Sequence, residues 1–408
     1  MGLKRKLGRA SEAMHSTRIA ITVLLLTATI IFLAGFGLGN GWITQHLPGA
    51  TRPVASGLPS KLDYTTVNQV YQSLKQNYDG QLTEDQLLNG LKHGLATATN
   101  DPYTEYFTVK EAQDFNNQLN NSFGGVGAEL GENSSNNLQI IAPIAGTPAA
   151  TAGLQAQDLI AAINGASTTG MSVDAAVSKI RGPAGSKVTL QIVRGNQALT
   201  FTITRENITV PSVTTKMLPG NIGYLSISTF ADDTTTLAQK AADQFKAAKV
   251  SGLILDLRND PGGLLDAAVR VSSLWLPQGQ TILQEKRGSQ VVQSYYALGG
   301  NELNGIPTVV LINAGSASAS EITAGALRDN HDAYVLGQKS YGKGVVQQLI
   351  NFGDGSQLKV TIASWYRPNG QNINKKGITP DKTVNEPSIA TPDNDPQLQA
   401  AENYLTSK

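Results

Sequence analysis

The 408-residue chain contains no cysteine, so disulfides, thiolate nucleophiles, iron–sulfur clusters and Cys-ligated zinc are all excluded. Histidine is scarce: His15, His46, His93 and His331 are scattered, and no pair stands at metal-ligand spacing. Charge of one sign is also lacking. Lys+Arg 32 against Asp+Glu 31 leaves a net charge of +1, which argues against a nucleic-acid-binding protein. No serine sits in a G-x-S-x-G elbow. The stretch Gly337–Gly344 comes one residue short of a phosphate-binding loop, because Gly344 stands where a magnesium-holding Ser or Thr is needed. A cofactor-free enzyme or a binding protein remains, on a chain long enough for two or three folded units.

Long hydrophobic runs are absent except at the N-terminus. Lys4, Arg5, Lys6, Arg9 and Arg18 precede an uncharged stretch, Ile19 to Leu38. Twenty helical residues span about 30 Å, one hydrocarbon core. The run exceeds a signal-peptide apolar region and lacks a good cut site after it, so it reads as an uncleaved anchor rather than a cleaved signal or a core helix. The basic flank places residues 1–18 in the cytoplasm, a transmembrane anchor at 19–39 and the bulk of the chain outside, at the cell membrane. A Gly/Pro-punctuated linker follows over 40–61.

Residues 62–120 read as helical. Tyr64, Val67, Val70, Tyr71 and Leu74 recur at helical spacing, and Thr83–Gln86 and Thr108–Glu111 each form a capping-box signature. Residues 121–207 change character. A Gly124-Gly125-Val126-Gly127 turn, a short strand, a helix over Ser172–Arg181 and an alternating strand over Lys187–Arg194 follow in order. That order resembles a PDZ domain of the bacterial protease type. Alone, the glycines are compatible with a plain tight turn; within the whole pattern, successive N–H groups form a nest suited to a carboxylate. Residues 208–385 alternate strand candidates (Gly223–Ile227, Gly252–Leu257, Thr308–Ile312) with helical stretches (Thr234–Ala248, Leu264–Trp275, Ala319–Asp329), an α/β core. The C-terminal segment, 386–408, ends in a candidate helix over Pro396–Leu405. The expected architecture is thus multidomain, α/β and α+β: an anchor, a helical region, a PDZ-like β-rich domain and an α/β core.

Three segments of that core carry chemistry: Asp256–Gly263, Asn313–Glu321 and Ser340–Gln347. The first two sit at strand-to-helix junctions, where N–H groups are free and the helix dipole is positive. Ser318, with Glu321 three residues on, is also compatible with a simple N-cap. A serine nucleophile needs a base, and no histidine is well placed. Lys343 is the remaining strong candidate. At an ordinary lysine pKa roughly one amine in 2,500 is neutral at pH 7, so a base lysine must be desolvated. The flanking glycines and Val345-Val346 suit that.

The strings LRNDPGG, NAGSASASE and SYGKGVVQ, in an anchored chain with a PDZ-like domain, resemble those of the carboxyl-terminal processing peptidases, or tail-specific proteases, over about residues 62–405. The resemblance implies a serine endopeptidase that cleaves polypeptides near their C-termini. It implies Ser318 as nucleophile, Lys343 as general base, and Gln347 as the group that orients the lysine. Backbone N–H groups of Gly262 or Gly263 and of Ala319 would form the oxyanion hole, with the donating glycine left open. Gly124, Gly125, Val126 and Gly127 would hold the substrate tail. No cofactor and no metal are expected; the partners are polypeptides with free C-termini, the membrane, and possible further copies of the chain, with no nucleic acid. The alternative is a PDZ scaffold or chaperone that binds tails without cutting. Tyr341 and Asp260 depart from the Phe and Asn common in the family at those positions.

Overall fold

The computed structural model describes residues 58–133, 135–386 and 394–407. The expected transmembrane span, 19–39, lies outside them; among the described residues no helix is long and apolar enough to cross a membrane. The chain divides after Leu82. Before that point stands helix α1 (Thr65–Asn77).

The second unit opens with α2 (Glu84–Thr97) and α3 (Val109–Leu119), both started by complete capping boxes at Thr83/Gln86 and Thr108/Glu111. Between them lies a strand that helical periodicity did not reveal, β1 (Glu105–Phe107), which pairs antiparallel with a strand some 250 residues later. A three-residue strand carries no period of its own, so only its distant partner defines it.

The β-rich region runs β2 (Ser122–Gly125), β3 (Ala128–Glu132), β4 (Leu138–Pro143), α4 (Pro148–Thr151), β5 (Leu159–Ile163), β6 (Ala166–Ser167), α5 (Val173–Ile180), β7 (Lys187–Arg194), β8 (Gln197–Thr204) and β9 (Glu206–Thr209). The sheet order is β3-β4-β5-β7-β8, all antiparallel, with β6 beside β5. The alternation of β7 turns Val188, Leu190 and Ile192 inward, where each is at most 1% exposed. Strand β2 leaves this sheet to pair with β9.

The α/β core runs β10 (Val213–Leu218), β11 (Ile222–Ile227), α6 (Thr234–Ala248), β12 (Gly252–Asp256), α7 (Leu265–Ser272), β13 (Thr281–Arg287), β14 (Gln290–Tyr296), β15 (Thr308–Ile312), α8 (Ala319–Asp329), β16 (Tyr334–Gly337), β17 (Val345–Asn351), β18 (Gln357–Tyr366), β19 (Lys382–Thr383) and α9 (Pro396–Thr406). One sheet, β10-β11-β12-β15-β16-β19, is parallel apart from β10. Strands β12 and β15 are buried along their whole length because both faces are covered. On one face Leu253, Leu255, Val310 and Ile312 join the cluster built with α6, α7 and α8; on the other Ile254, Val309 and Leu311 meet Ala401 and Leu405 of α9. Burying each such side chain stabilises the fold by about 1.5–3 kcal/mol. The second sheet, β1-β18-β13-β14 with β17 on β18, carries the Lys343 segment at its edge.

Candidate active site

The two junctions at the ends of β12 and β15 lie side by side, since these strands are parallel neighbours paired from Leu253↔Thr308 to Asp256↔Leu311. After β15 the chain turns through Asn313–Ser318 into α8. Three serines alternate across this turn and the start of α8. Ser316 donates its hydroxyl to the Leu257 carbonyl (2.7 Å) and Ser320 to the Asp260 carbonyl (2.9 Å), which ties the two junctions together. Both are wholly buried; Ser318, between them, is half-buried and lines a cavity of about 560 Å³. Its backbone is at φ 53°, ψ −114°. A helix N-cap ordinarily has extended dihedrals, so the capping role does not account for this conformation. Positive φ at a residue with a Cβ costs about 1–3 kcal/mol and marks a position over-determined by its surroundings.

Glu321 supplies much of that determination. It is completely buried, and its carboxyl accepts four hydrogen bonds: from the Ser318 N–H (2.9 Å), the Lys343 N–H (2.9 Å), the Gly342 N–H (2.8 Å) and the Ser340 hydroxyl (2.5 Å). One side chain therefore holds the backbones of both Ser318 and Lys343. Sequence reading saw in Glu321 only the third residue of a capping box. Its bonds to the Lys343 turn span about twenty residues and leave no local signal. Burial pushes its carboxyl above the ordinary value, against the four donors that favour the anion.

Lys343 is half-buried and lines the same cavity as Ser318. Its carbonyl accepts from the Trp365 indole N–H at 2.9 Å, and its Nζ stands 5.3 Å from the centre of the Tyr103 ring. Its amine is held below the usual lysine value, first by desolvation and then by the neighbouring Lys359 cation; Asp101 and Glu321 oppose this without reversing it. Gln347, on β17, also lines the cavity, and its amide donates to the Tyr103 carbonyl at 2.5 Å. It thus holds the segment whose ring faces the lysine. Tyr103, Lys359 and Trp365 were not found by sequence reading: each reaches the site from a distant part of the chain.

The glycine pair of the β12 junction packs against Ser318. A Cβ on Gly262 would stand 2.7 Å from the Ser318 Cβ, and Gly262 is at φ 100°, so glycine is required on both counts. The Gly262 N–H donates to Asp260 Oδ1 at 2.8 Å. The Gly262 carbonyl is fixed by the Phe230 N–H (2.8 Å) and the Thr229 hydroxyl (2.9 Å). In a trans peptide the next N–H points opposite to that carbonyl. The Gly263 N–H is therefore directed away from Phe230, and among the described residues neither it nor the Ala319 N–H at the start of α8 has an acceptor. Both residues line the cavity with Ser318. Apolar Leu264, Leu265, Leu283, Ile322 and Val346 complete much of the wall.

Of the four residues expected to hold a substrate tail, Gly124 and Gly125 lie on β2, opposite Asn207 and Glu206 of β9. Val126 and Gly127 form the loop into β3; the Val126 side chain is buried and Gly127 is at φ 78°. The N–H groups of these two donate to nothing among the described residues. Strand β3 is the edge of its sheet, so among the described residues its outer rim is unpaired.

The profile of peptidase family S41 matches residues 221–384 and that of the PDZ domain matches 116–193. A probable CtpA-like serine protease of Staphylococcus saprophyticus is 36% identical over 379 residues, covering 92% of this chain and 74% of its own. One from Staphylococcus aureus is 35% identical over 386 residues, covering 93% and 75%. The crystal structure of a putative S41 protease from Bacteroides fragilis superposes with a TM-score of 0.57 at 18% identity, covering 86% of this chain and 99% of that one; at that identity the likeness is one of fold.

Proposed function

Since this chain belongs to peptidase family S41 and is a CtpA-like serine-type peptidase with a PDZ domain, we propose that it cuts polypeptides near their C-termini by a Ser318–Lys343 dyad. What supports the dyad above all is that Ser318 and Lys343 line one cavity while a single buried carboxyl, Glu321, holds the backbone of each. The neutral Lys343 amine takes the Ser318 hydroxyl proton as Oγ attacks the scissile carbonyl. The resulting oxyanion accepts from the Gly263 and Ala319 N–H groups, with the α8 N-terminus adding its dipole. The Lys343 ammonium then protonates the leaving amine, and a water, deprotonated by the regenerated amine, hydrolyses the acyl-enzyme. No cofactor takes part. Gln347 acts through Tyr103, keeping that ring against the lysine.

The PDZ domain takes the substrate's tail as an added strand on the β3 rim, with its carboxylate in the Gly124–Gly127 turn, where the Val126 and Gly127 N–H groups are open. Residues 19–39 anchor the enzyme in the cell membrane with its catalytic part outside the cytoplasm; no nucleic acid is involved, and assembly into homo-oligomers is compatible with this arrangement. The test is digestion of a peptide with a free C-terminus by the full-length protein in detergent. Ser318→Ala is expected to lower kcat by at least about 10³-fold with the melting temperature retained. A folded Ser318→Ala enzyme that still cuts would refute the assignment of the nucleophile.

A further inference from the structure

The β12 junction holds a second buried carboxyl whose surroundings differ from those of Glu321. Asp260 has no exposed surface. Its backbone carbonyl accepts from the Ala317 N–H (3.0 Å) and the Ser320 hydroxyl (2.9 Å), which flank Ser318 on either side. Its Oδ1 accepts from the Gly262 N–H, while Oδ2 is buried and has no partner among the described residues. Among the described residues no ion pair reaches it. On its own segment, Arg258 is committed to Asp256 (2.6 Å) and Asp395 (2.8 Å). On α8, Glu321 is committed to Ser318 and the Lys343 turn. Phe230, packed behind the glycines, is apolar. An ionised carboxylate is poorly served by one donor and no cation in such a place.

We propose that Asp260 is a positioning residue for the oxyanion turn that works as a neutral acid, so that its ionisation switches the turn to a less active state. The inference rests on the dyad reading above. Oδ1 fixes the Gly262 N–H, which leaves the Gly263 N–H of the adjoining peptide aimed at the reacting carbonyl. A negative charge on Oδ1/Oδ2, immediately behind those glycines, opposes the negative charge that develops on the oxyanion. Burial pushes the Asp260 carboxyl up to about 8, and only the Gly262 and Ser320 groups pull the other way. Cleavage should therefore rise with pH as the Lys343 ammonium loses its proton and fall again as Asp260 ionises.

The experiment compares full-length wild type with Asp260→Asn, which keeps the acceptor for the Gly262 N–H and cannot ionise. The readouts are the pH profile of kcat/KM on one peptide and the pH dependence of the melting temperature. In the wild type the native state keeps a proton that the unfolded chain loses, so stability falls as pH rises from about 4 to 8; in Asp260→Asn this slope is smaller. The alkaline limb should also disappear, raising activity at pH 9.5 relative to pH 7 by about ten-fold over the wild-type ratio. An unchanged alkaline limb in a folded Asp260→Asn enzyme overturns the proposal, even if the melting slope is lost, because the carboxyl then titrates without touching the reaction. Equal loss of activity at every pH overturns it too. If Asp260→Asn does not fold, Asp260→Ser must show the same loss of the alkaline limb. The melting measurement does not depend on the dyad, whereas failure of the dyad itself appears as unchanged cleavage in Ser318→Ala.

Discussion

The junctions that follow β12 and β15 look alike and behave differently. Each leaves a buried parallel strand, reverses through an Asn- and Gly-containing turn with a residue at positive φ (Asn259 at 58°, Ser318 at 53°), and enters a helix. Each also contains a completely buried carboxyl. Around Glu321 four donors converge; at the Asp260 carboxyl there is one, and one oxygen has none. Equal burial thus has unequal consequences. A carboxyl ringed by donors from two turns is a clamp between them. A carboxyl with a single donor, next to the glycines that line the cavity, is the group whose proton the proposal above makes matter.

The sharpest way to break this contrast is to remove the clamp. Glu321→Ala leaves three backbone N–H groups and the Ser340 hydroxyl without their acceptor. It is expected to cost on the order of 3–5 kcal/mol of stability, read by thermal and denaturant unfolding. It should also lower kcat by about 10²-fold or more, because Ser318 and Lys343 lose their common support. Glu321→Gln, which keeps one acceptor oxygen, should fall between. Lost stability with unchanged kcat would reduce Glu321 to a helix cap.

A smaller effect is expected outside both junctions. Amidating the substrate's C-terminus removes the charge that the Val126–Gly127 N–H groups would receive. Cleavage at low substrate concentration should then fall by about ten-fold, with kcat at saturation changing less. Equal cleavage of free and amidated peptides would confine the PDZ domain to packing, and would leave the contrast between the two junctions intact.

Much of this architecture was legible in the residue pattern, and the reasons are local. Helices α6 and α8, strand β15 and strand β7 fall where periodicity and flanking turns put them, and the capping boxes at Thr83 and Thr108 are complete. Helix α7 ends at Ser272 rather than Trp275, because Leu274 and Trp275 donate to carbonyls three residues back in a tightened last turn. What stayed hidden is what the fold brings from afar. Strand β1 exists only through its pairing of Glu105 with Lys359. The Tyr103 ring reaches Lys343, and the Gln347 amide goes to the Tyr103 carbonyl, across some 240 residues. That the Gly262 N–H is engaged by Asp260, which bears on the glycine left open above, is spelled out by no motif. The membrane anchor rests on sequence alone, since residues 19–39 lie outside the described residues.

The dyad is tested most directly by the rate at which a fluorophosphonate probe modifies Ser318, followed by mass spectrometry as a function of pH in wild type and Lys343→Arg. Burial and the Lys359 cation lower the Lys343 amine, so its neutral form accumulates below the pH at which an exposed lysine would titrate. The account predicts modification at Ser318 that rises with pH through that depressed transition in the wild type and is lost in Lys343→Arg, which keeps the charge and cannot act as a base. Modification of Ser318 at the wild-type rate in a folded Lys343→Arg protein, or modification of a different serine, would contradict it.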